Sequence, residues 1–248
     1  MSSLVMNFSG IYRKQNFWND ALAELDCSQI PGTNGYLDSA AEAEIRRKIE
    51  DFSVGGIHFI DSGNMHYLSK LWTDRVAENF SLVVFDHHSD MQPPAFDGIL
   101  SCGSWLKAVL DSNPFLQNVF LIGVGKSSVN EIEVSYREKV QVVLESECAA
   151  ESFGKAFDFD EKFFRYPVYI SIDKDVLAER ELKTNWDGGS LSTDNLLKLL
   201  ERILVQGKIL GVDICGEPSF RDVFSEDENL RQSNAINASL WNLLKNHF

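Results

Sequence analysis

Four aspartates and two histidines stand where their side chains could gather around cations. Asp86, His88 and Asp90 fall two residues apart in FDHHSD, and Asp173 and Asp175 do the same in SIDKD. Each group closes an apolar run that reads as a buried strand, LVVF before Asp86 and VYISI before Asp173. In extended backbone, side chains at i, i+2 and i+4 point to one side. Both segments therefore aim carboxylates in one direction from a strand end. His66, in IHFIDSGNMH, trails a third apolar run and supplies a second imidazole. Carboxylates gathered in one place repel, and stay protonated or apart unless cations hold them. The spacing predicts a two-metal site. Oxygen and imidazole donors without thiolate suit Mn2+, and less exclusively Zn2+, Fe2+ or Co2+. Two such ions about 3.5–4 Å apart bring the pKa of a shared water towards neutrality and orient it as a nucleophile. A single aspartate after a strand is more often a turn former or helix cap. Here that explanation would have to hold independently for every member of the set.

Strand signals at 56–61, 81–86, 117–124, 140–144, 167–172 and 208–214 must position these groups. Helical patterns lie at 65–79, 102–111 and 193–205, and an amphipathic stretch at 227–247 reads as a C-terminal helix. Ser39-Ala-Ala-Glu42 has the form of a capping box opening a helix through about Asp51. Alternating strands and helices predict an α/β fold, three layers α/β/α around a mainly parallel sheet. Such folds bind ligands beyond the carboxyl ends of their strands, where His66, the Asp86 cluster and the Asp173 pair fall.

No repeat or Pro/Ser-rich linker interrupts the chain, so a single domain is expected over residues 1–248. The net charge of −14, from 23 basic and 37 acidic residues, argues against nucleic-acid or anionic-membrane partners. No apolar run approaches membrane-spanning length and the first residues do not form a signal peptide. Cys27, Cys102, Cys148 and Cys215 are scattered without a CxxC pair, which fits a reduced, cytoplasmic compartment.

FDHHSD resembles the DAHxD signature of the ureohydrolase (arginase–agmatinase) superfamily, and SIDKDVL resembles its SxDxDxxDP signature. GNMHYLS is similar to the GGDHS segment, and GGSLSTDNLLKLL to the helix start that follows in that family. The resemblance runs from about Gly55 to Glu217. It implies an arginase/deacetylase-like fold, with two Mn2+ ions held by His66, Asp86, His88, Asp90, Asp173 and Asp175. It also implies that Asp90 hydrogen-bonds the bridging hydroxide, and that symmetric homo-oligomers are possible. There are departures. Met65 replaces the aspartate of GGDH, removing a carboxylate that would orient His66. Ala178 and Glu179 replace the Asp-Pro, and the following loop is recast as ERELKTNWDGG. Cys102 stands where the proton-shuttling histidine of an SHG-like segment is expected; a thiol substitutes only if its pKa is lowered. The substrate-gripping loop is replaced by MQPPAFDGIL. Glu217, in GVDICGEPS, falls one residue past the place of the guanidinium-recognising glutamate, and a one-residue slip reverses side-chain direction in a strand.

Weaker signals accompany these. Gly123-Val-Gly125-Lys126-Ser127 resembles the end of a Walker A loop, but Phe120 replaces its first glycine, so a strand-ending turn is expected. His87-His88 resembles DHH-type manganese phosphoesterases, which carry an earlier Asp-x-Asp that is missing here. His87 alternates away from His88 and reads as a packed or supporting residue, and His58 as a satisfied core histidine. Trp186 and Asp187 are placed either at a substrate mouth or in an exposed turn, and Ser225-Glu-Asp-Glu228 at a solvated helix start. The expected activity is hydrolysis of a linear, non-peptide C–N bond in a small guanidino, amidine or amide substrate. Asp90, Cys102 and Glu217 are the candidate catalytic residues. The alternatives are a one-metal deacetylase-like amidohydrolase using Asp86, His88 and Asp173, a DHH-type phosphoesterase, and a noncatalytic metal-binding protein.

Overall fold

The runs Phe80–Phe85 and Val168–Asp173 are buried at every residue, as expected for strands covered on both faces. They form the middle of the sheet in the computed structural model, which describes residues 3–18, 22–94, 98–148, 163–218 and 226–248. The strands are β1 (Leu4–Asn7), β2 (Ala23–Asp26), β3 (Tyr36–Leu37), β4 (Ile57–Phe59), β5 (Phe80–Phe85), β6 (Leu100–Ser101), β7 (Leu116–Val124), β8 (Val140–Leu144), β9 (Val168–Asp173) and β10 (Ile209–Cys215). The helices are α1 (Ser39–Ile49), α2 (Leu68–Thr73), α3 (Trp105–Ser112), α4 (Glu145–Cys148), α5 (Thr193–Gln206) and α6 (Glu226–Leu244). Eight strands form one sheet in the order β2-β1-β4-β10-β9-β5-β7-β8, and every neighbouring pair is parallel. A short antiparallel pair, β3 with β6, stands apart from it.

Two apolar clusters lie on the two faces. One packs Leu82, Val84 and Leu121 against Ile45, Leu71, Trp72 and Trp105 from α1, α2 and α3. The other packs Val83, Ile170 and Ile214 against Leu196, Leu200 and Ile203 of α5 and Leu240 of α6. Each such fully buried aliphatic chain stabilises the fold by about 1.5–3 kcal/mol relative to exposure. The three-layer α/β/α expectation therefore holds.

Details differ at element ends. The cap of α1 is Asp38, whose carboxylate accepts from the N–H groups of Ala40 and Ala41; Glu42 instead pairs with Arg46. The helix expected at 65–79 is a 3-10 turn, Gly63–Met65, followed by the short α2. The one at 102–111 likewise begins with a 3-10 turn, Cys102–Ser104. Among the described residues, no helix is long and apolar enough to cross a membrane. Residues 95–97 of the loop following Met91, and Ser225, lie outside the described residues; Glu228 is exposed, as expected for a solvated helix start.

Candidate metal centre

The chain leaves β4 and enters β5 three places away in the sheet, and β9 and β10 later fill the gap. Strand ends at such a switch in order form a crevice suited to ligands. His66, Asp86, Asp173 and Cys215 all follow or end these central strands.

Local hydrogen bonds set the carboxylates. Asp86 Oδ1 accepts the His88 N–H at 2.6 Å, and Asp173 Oδ1 accepts the Asp175 N–H at 3.0 Å. Each aspartate thus turns its own chain; the other oxygen of Asp86 makes no hydrogen bond, and that of Asp173 accepts from the Cys215 thiol at 3.1 Å. Asp175 joins the two segments, accepting from the His87 N–H at 3.1 Å and lying 2.9 Å from His88 Nδ1. Asp90 sits in the left-handed region, at φ 50°, a conformation that aspartate tolerates better than most side chains. The Trp105 indole N–H anchors its Oδ2 at 2.6 Å. His66 Nδ1 lies 2.9 Å from Asp90 Oδ2, 3.1 Å from Asp86 Oδ2 and 3.6 Å from Asp173 Oδ2.

The six expected ligands therefore converge. Two three-residue groups, His66 with Asp86 and Asp90, and Asp86 with His88 and Asp175, each hold their donor atoms within 4.8 Å and share Asp86. Within this set, His66 Nδ1 and Asp86 Oδ2 are buried and make no hydrogen bond. An unpaired buried polar atom costs roughly 1–3 kcal/mol, so these two atoms fit a pair of ligands that cations would occupy.

Electrostatics point the same way. Burial, then the neighbouring Asp86 charge, raises Asp90 to about 7. Burial with the charges of Asp173 and Asp86 pushes Asp175 well above its usual range, and burial raises Asp173 too. Burial disfavours charge on His88, but Asp175 and Asp86 overcome it and hold the imidazole protonated. Burial likewise opposes charge on His66, against Cys215, Asp86 and Asp90, which together raise it. Protons thus accumulate on both imidazoles and several carboxylates, the response of a site that needs positive charge.

His66 is oriented without the carboxylate that Met65 replaces. Its Nε2 lies 2.9 Å from Ser171 Oγ, which donates to Asp213 Oδ1 at 2.6 Å, and Ser69 donates to the same oxygen at 2.9 Å. Met65 accepts instead from the Tyr67 hydroxyl. Ser171 and Asp213 are register partners across β9 and β10, as are Asp173 and Cys215. Sequence reading missed Asp213 and Cys215, although their two-residue spacing at a strand end places both on one side.

Of the three candidate catalytic residues, Asp90 and Cys102 line the cavity in front of this cluster, and Glu217 does not. The role expected for Glu217 is thereby corrected. Gly216 adopts φ 86° and turns the chain, and the buried Glu217 carboxylate is paired with Lys174 instead. A Cβ at Gly216 would stand 2.5 Å from Asp173 Oδ1 and 2.6 Å from the Lys174 nitrogen, so that close approach requires glycine. Burial, followed by the Asp90 charge, pushes the Cys102 thiol up to about 12, opposite to the lowering that an acid–base role requires. His58 is a core histidine, stacked on Trp72 at 3.6 Å. His87 does not line the cavity; its ring lies between Asp187, 3.7 Å from Nε2, and Glu145, 3.8 Å from Nδ1. Gly123 and Gly125 carry no phosphate cradle; a Cβ on Gly123 would meet Val176 at 2.3 Å.

A model of the arginase family matches residues 15–220. The chain belongs to the arginase family. An uncharacterized protein of Thermotoga maritima is 30% identical over 240 residues, 97% of this chain and 88% of that protein. Two solved structures share the fold. Formimidoylglutamase from Bacillus subtilis superposes with a TM-score of 0.70 at 14% identity, covering 98% of this chain and 86% of the other. Arginase from Bacillus cereus gives 0.69 at 14% identity, covering 97% and 98%.

In this arginase-family chain the cavity over the cluster measures about 200 Å3. Tyr36, Gln92, Cys102 and Trp186 form its outer wall, and among its described lining residues there is no lysine or arginine. Trp186 therefore stands at the mouth, with Asp187 beside His88. The indole N–H donates to Asn64 at 3.0 Å, and Asp187 lies 3.1 Å from His88 Nε2.

Proposed function

We propose that the chain is a binuclear-metal hydrolase that cleaves a linear, non-peptide C–N bond in a small guanidino, amidine or amide compound. The observation that carries this reading is the pair of three-residue donor groups sharing Asp86, with His66 Nδ1 and Asp86 Oδ2 buried and unpaired. His66, Asp86, Asp90 and Asp173 would hold one divalent ion, and Asp86, His88, Asp173 and Asp175 the other. Oxygen and nitrogen donors suit Mn2+. When bound, such a pair would supply a nucleophile from water at neutral pH and stabilise the charge that develops on the oxygen or nitrogen of a trigonal carbon as it is attacked.

The chain's own groups do the rest. An acidic cavity without a described lysine or arginine favours a cationic or neutral head group and disfavours a carboxylate beside it. Its volume, below the roughly 300–1,000 Å3 of sites for larger ligands, admits the reacting group and leaves the substrate's tail against Tyr36 and Trp186. Cys102 keeps its proton at neutral pH and faces the cavity, so it can donate to a leaving amine, but a thiol near 12 is a weak acid. That weakness supports a second reading, a metal-binding protein without turnover. Cytoplasmic residence is part of the proposal and is supported by four free cysteines.

The test is elemental analysis of protein refilled with Mn2+, beside a His66→Ala variant, followed by ammonia and urea assays over guanidino, formimino and amide compounds. Two ions per chain falling to one in the variant, with turnover of any compound, support the hydrolase. One ion indifferent to His66 supports deacetylase-like chemistry, and two ions without turnover support the noncatalytic reading.

A further inference from the structure

Cys215 is buried at the end of β10, and its Sγ lies 3.1 Å from Asp173 Oδ2. Its sulfur, a His66 ring nitrogen and an Asp173 oxygen form a third donor group within 4.8 Å. A buried cysteine is ordinarily a small apolar packing residue, and Cys27 and Cys215 both border the same apolar cluster. Cys215 differs because it faces an imidazole and a carboxylate. The second observation is independent of the sulfur. His66 Nδ1 is buried among these donors, and no hydrogen bond satisfies it.

Building on the two-metal reading, we propose that Cys215 is a thiolate ligand of the ion held by His66, which makes the two metal positions chemically unlike. The His66 position then offers nitrogen, oxygen and sulfur, whereas the group of Asp86, His88 and Asp175 offers only nitrogen and oxygen. Thiolate favours Zn2+ and other borderline ions over Mn2+, while carboxylates and imidazole accept Mn2+. The sulfur therefore strengthens the preference of the His66 position for Zn2+, Co2+ or Fe2+ over Mn2+ beyond that of the His88 position. Coordination replaces the S–H bond with a sulfur–metal bond, and the proton leaves to solvent. Cys102 lines the outer cavity and belongs to none of the donor groups.

The test is a Co2+ titration of the full-length, metal-free chain, read by near-ultraviolet absorption and by elemental analysis. A sulfur-to-cobalt charge-transfer band growing with bound Co2+ is expected. It should vanish in Cys215→Ser and persist in Cys102→Ser and His88→Ala. In competition between Zn2+ and a large excess of Mn2+, the share of bound Zn2+ should fall in Cys215→Ser relative to the unaltered chain. Cobalt bound by the unaltered chain without the band overturns the thiolate ligand and leaves the two-metal reading standing, and this measurement needs no variant to fold. A band lost in Cys102→Ser instead also overturns it. No bound cobalt at all overturns both.

Discussion

On one side of Lys174 lie the carboxylates and imidazoles of the cavity; on the other lies Glu217 with Gln15, Ser233 and Asn237. Both regions are buried, and both are built from charged and amide groups. Behind Lys174, every donor finds an acceptor. Its Nζ donates to Glu217, Ser233 and Asn237. Glu217 also accepts from Gln15 at 2.6 Å, Ser233 at 2.7 Å and Asn237 at 2.7 Å. In front, His66 Nδ1 and Asp86 Oδ2 lie 3.1 Å apart without a hydrogen bond, and burial raises Asp90, Asp173 and Asp175 above the usual carboxylate range. A closed polar network specifies a fold; an open one of the same burial implies a missing ligand. The first region is scaffolding, pinning the segment between Asp173 and Asp175 to α6. The second is the reactive surface that scaffolding presents.

The sharpest way to break this contrast is to remove the residue common to both donor groups. Asp86→Ala should abolish binding of both ions and reduce turnover by far more than the ~10²-fold that losing an outer partner of a ligand costs. Elemental analysis and steady-state rates check this. Two ions retained in the variant would mean that the two groups do not share Asp86.

The opposite region should fail in stability. Lys174→Ala leaves Glu217 buried without its cation, a loss of about 3–5 kcal/mol in urea unfolding. The double replacement Lys174→Met with Glu217→Leu should recover most of it, because an apolar pair of similar volume can replace a buried ion pair. A single variant of unchanged stability would mean that Glu217 is not confined, and its expected role in binding a cationic substrate would return.

The contrast was only half legible in the sequence. The ligand set could be read because β5 and β9 are continuous apolar runs whose ends fix side-chain direction, leaving the two-residue spacing unambiguous. The flanking strands gave little signal: LVMN of β1 and AELD of β2 are four residues each, and AELD alternates weakly at the sheet edge. Cys215 obeys the same two-residue rule as the ligands, but scattered cysteines without a CxxC pair give no sign of a metal site. Glu217 could not be placed because its direction depends on Gly216 turning left-handed. The network partners Gln15 and Asn237 lie 202 and 20 residues from Glu217 along the chain, with no local pattern linking them.

A pH series separates the metal-free from the loaded state. Folding raises Asp90 from 3.8 to about 7 and Asp213, through burial, from 3.8 to about 6. For a group raised on folding, stability is fully present below the unfolded pKa and is lost as pH climbs through the folded one. These two carboxyls should make the metal-free chain lose stability between about pH 4 and pH 7. Loaded protein should do the reverse, because the ions bind the deprotonated ligands, adding about 4 kcal/mol at a thousandfold excess over Kd. Parallel melting curves with and without Mn2+ check the crossing. If both states rise together over that interval, protons are not standing in for cations.

The smallest effect should come from the cavity mouth, where Trp186 belongs to neither region. It is 42% exposed, donates its indole N–H to Asn64, and meets the His88 ring edge-on at 5.6 Å. It leaves no buried atom unpaired and supports no buried charge, so Trp186→Ala should change stability by no more than about 0.5 kcal/mol. Its effect belongs in substrate contact: KM should rise with kcat unchanged, the pattern of binding shared equally by ground and transition states. A fall in kcat at constant KM would instead assign the indole to holding His88, extending the scaffold to the mouth.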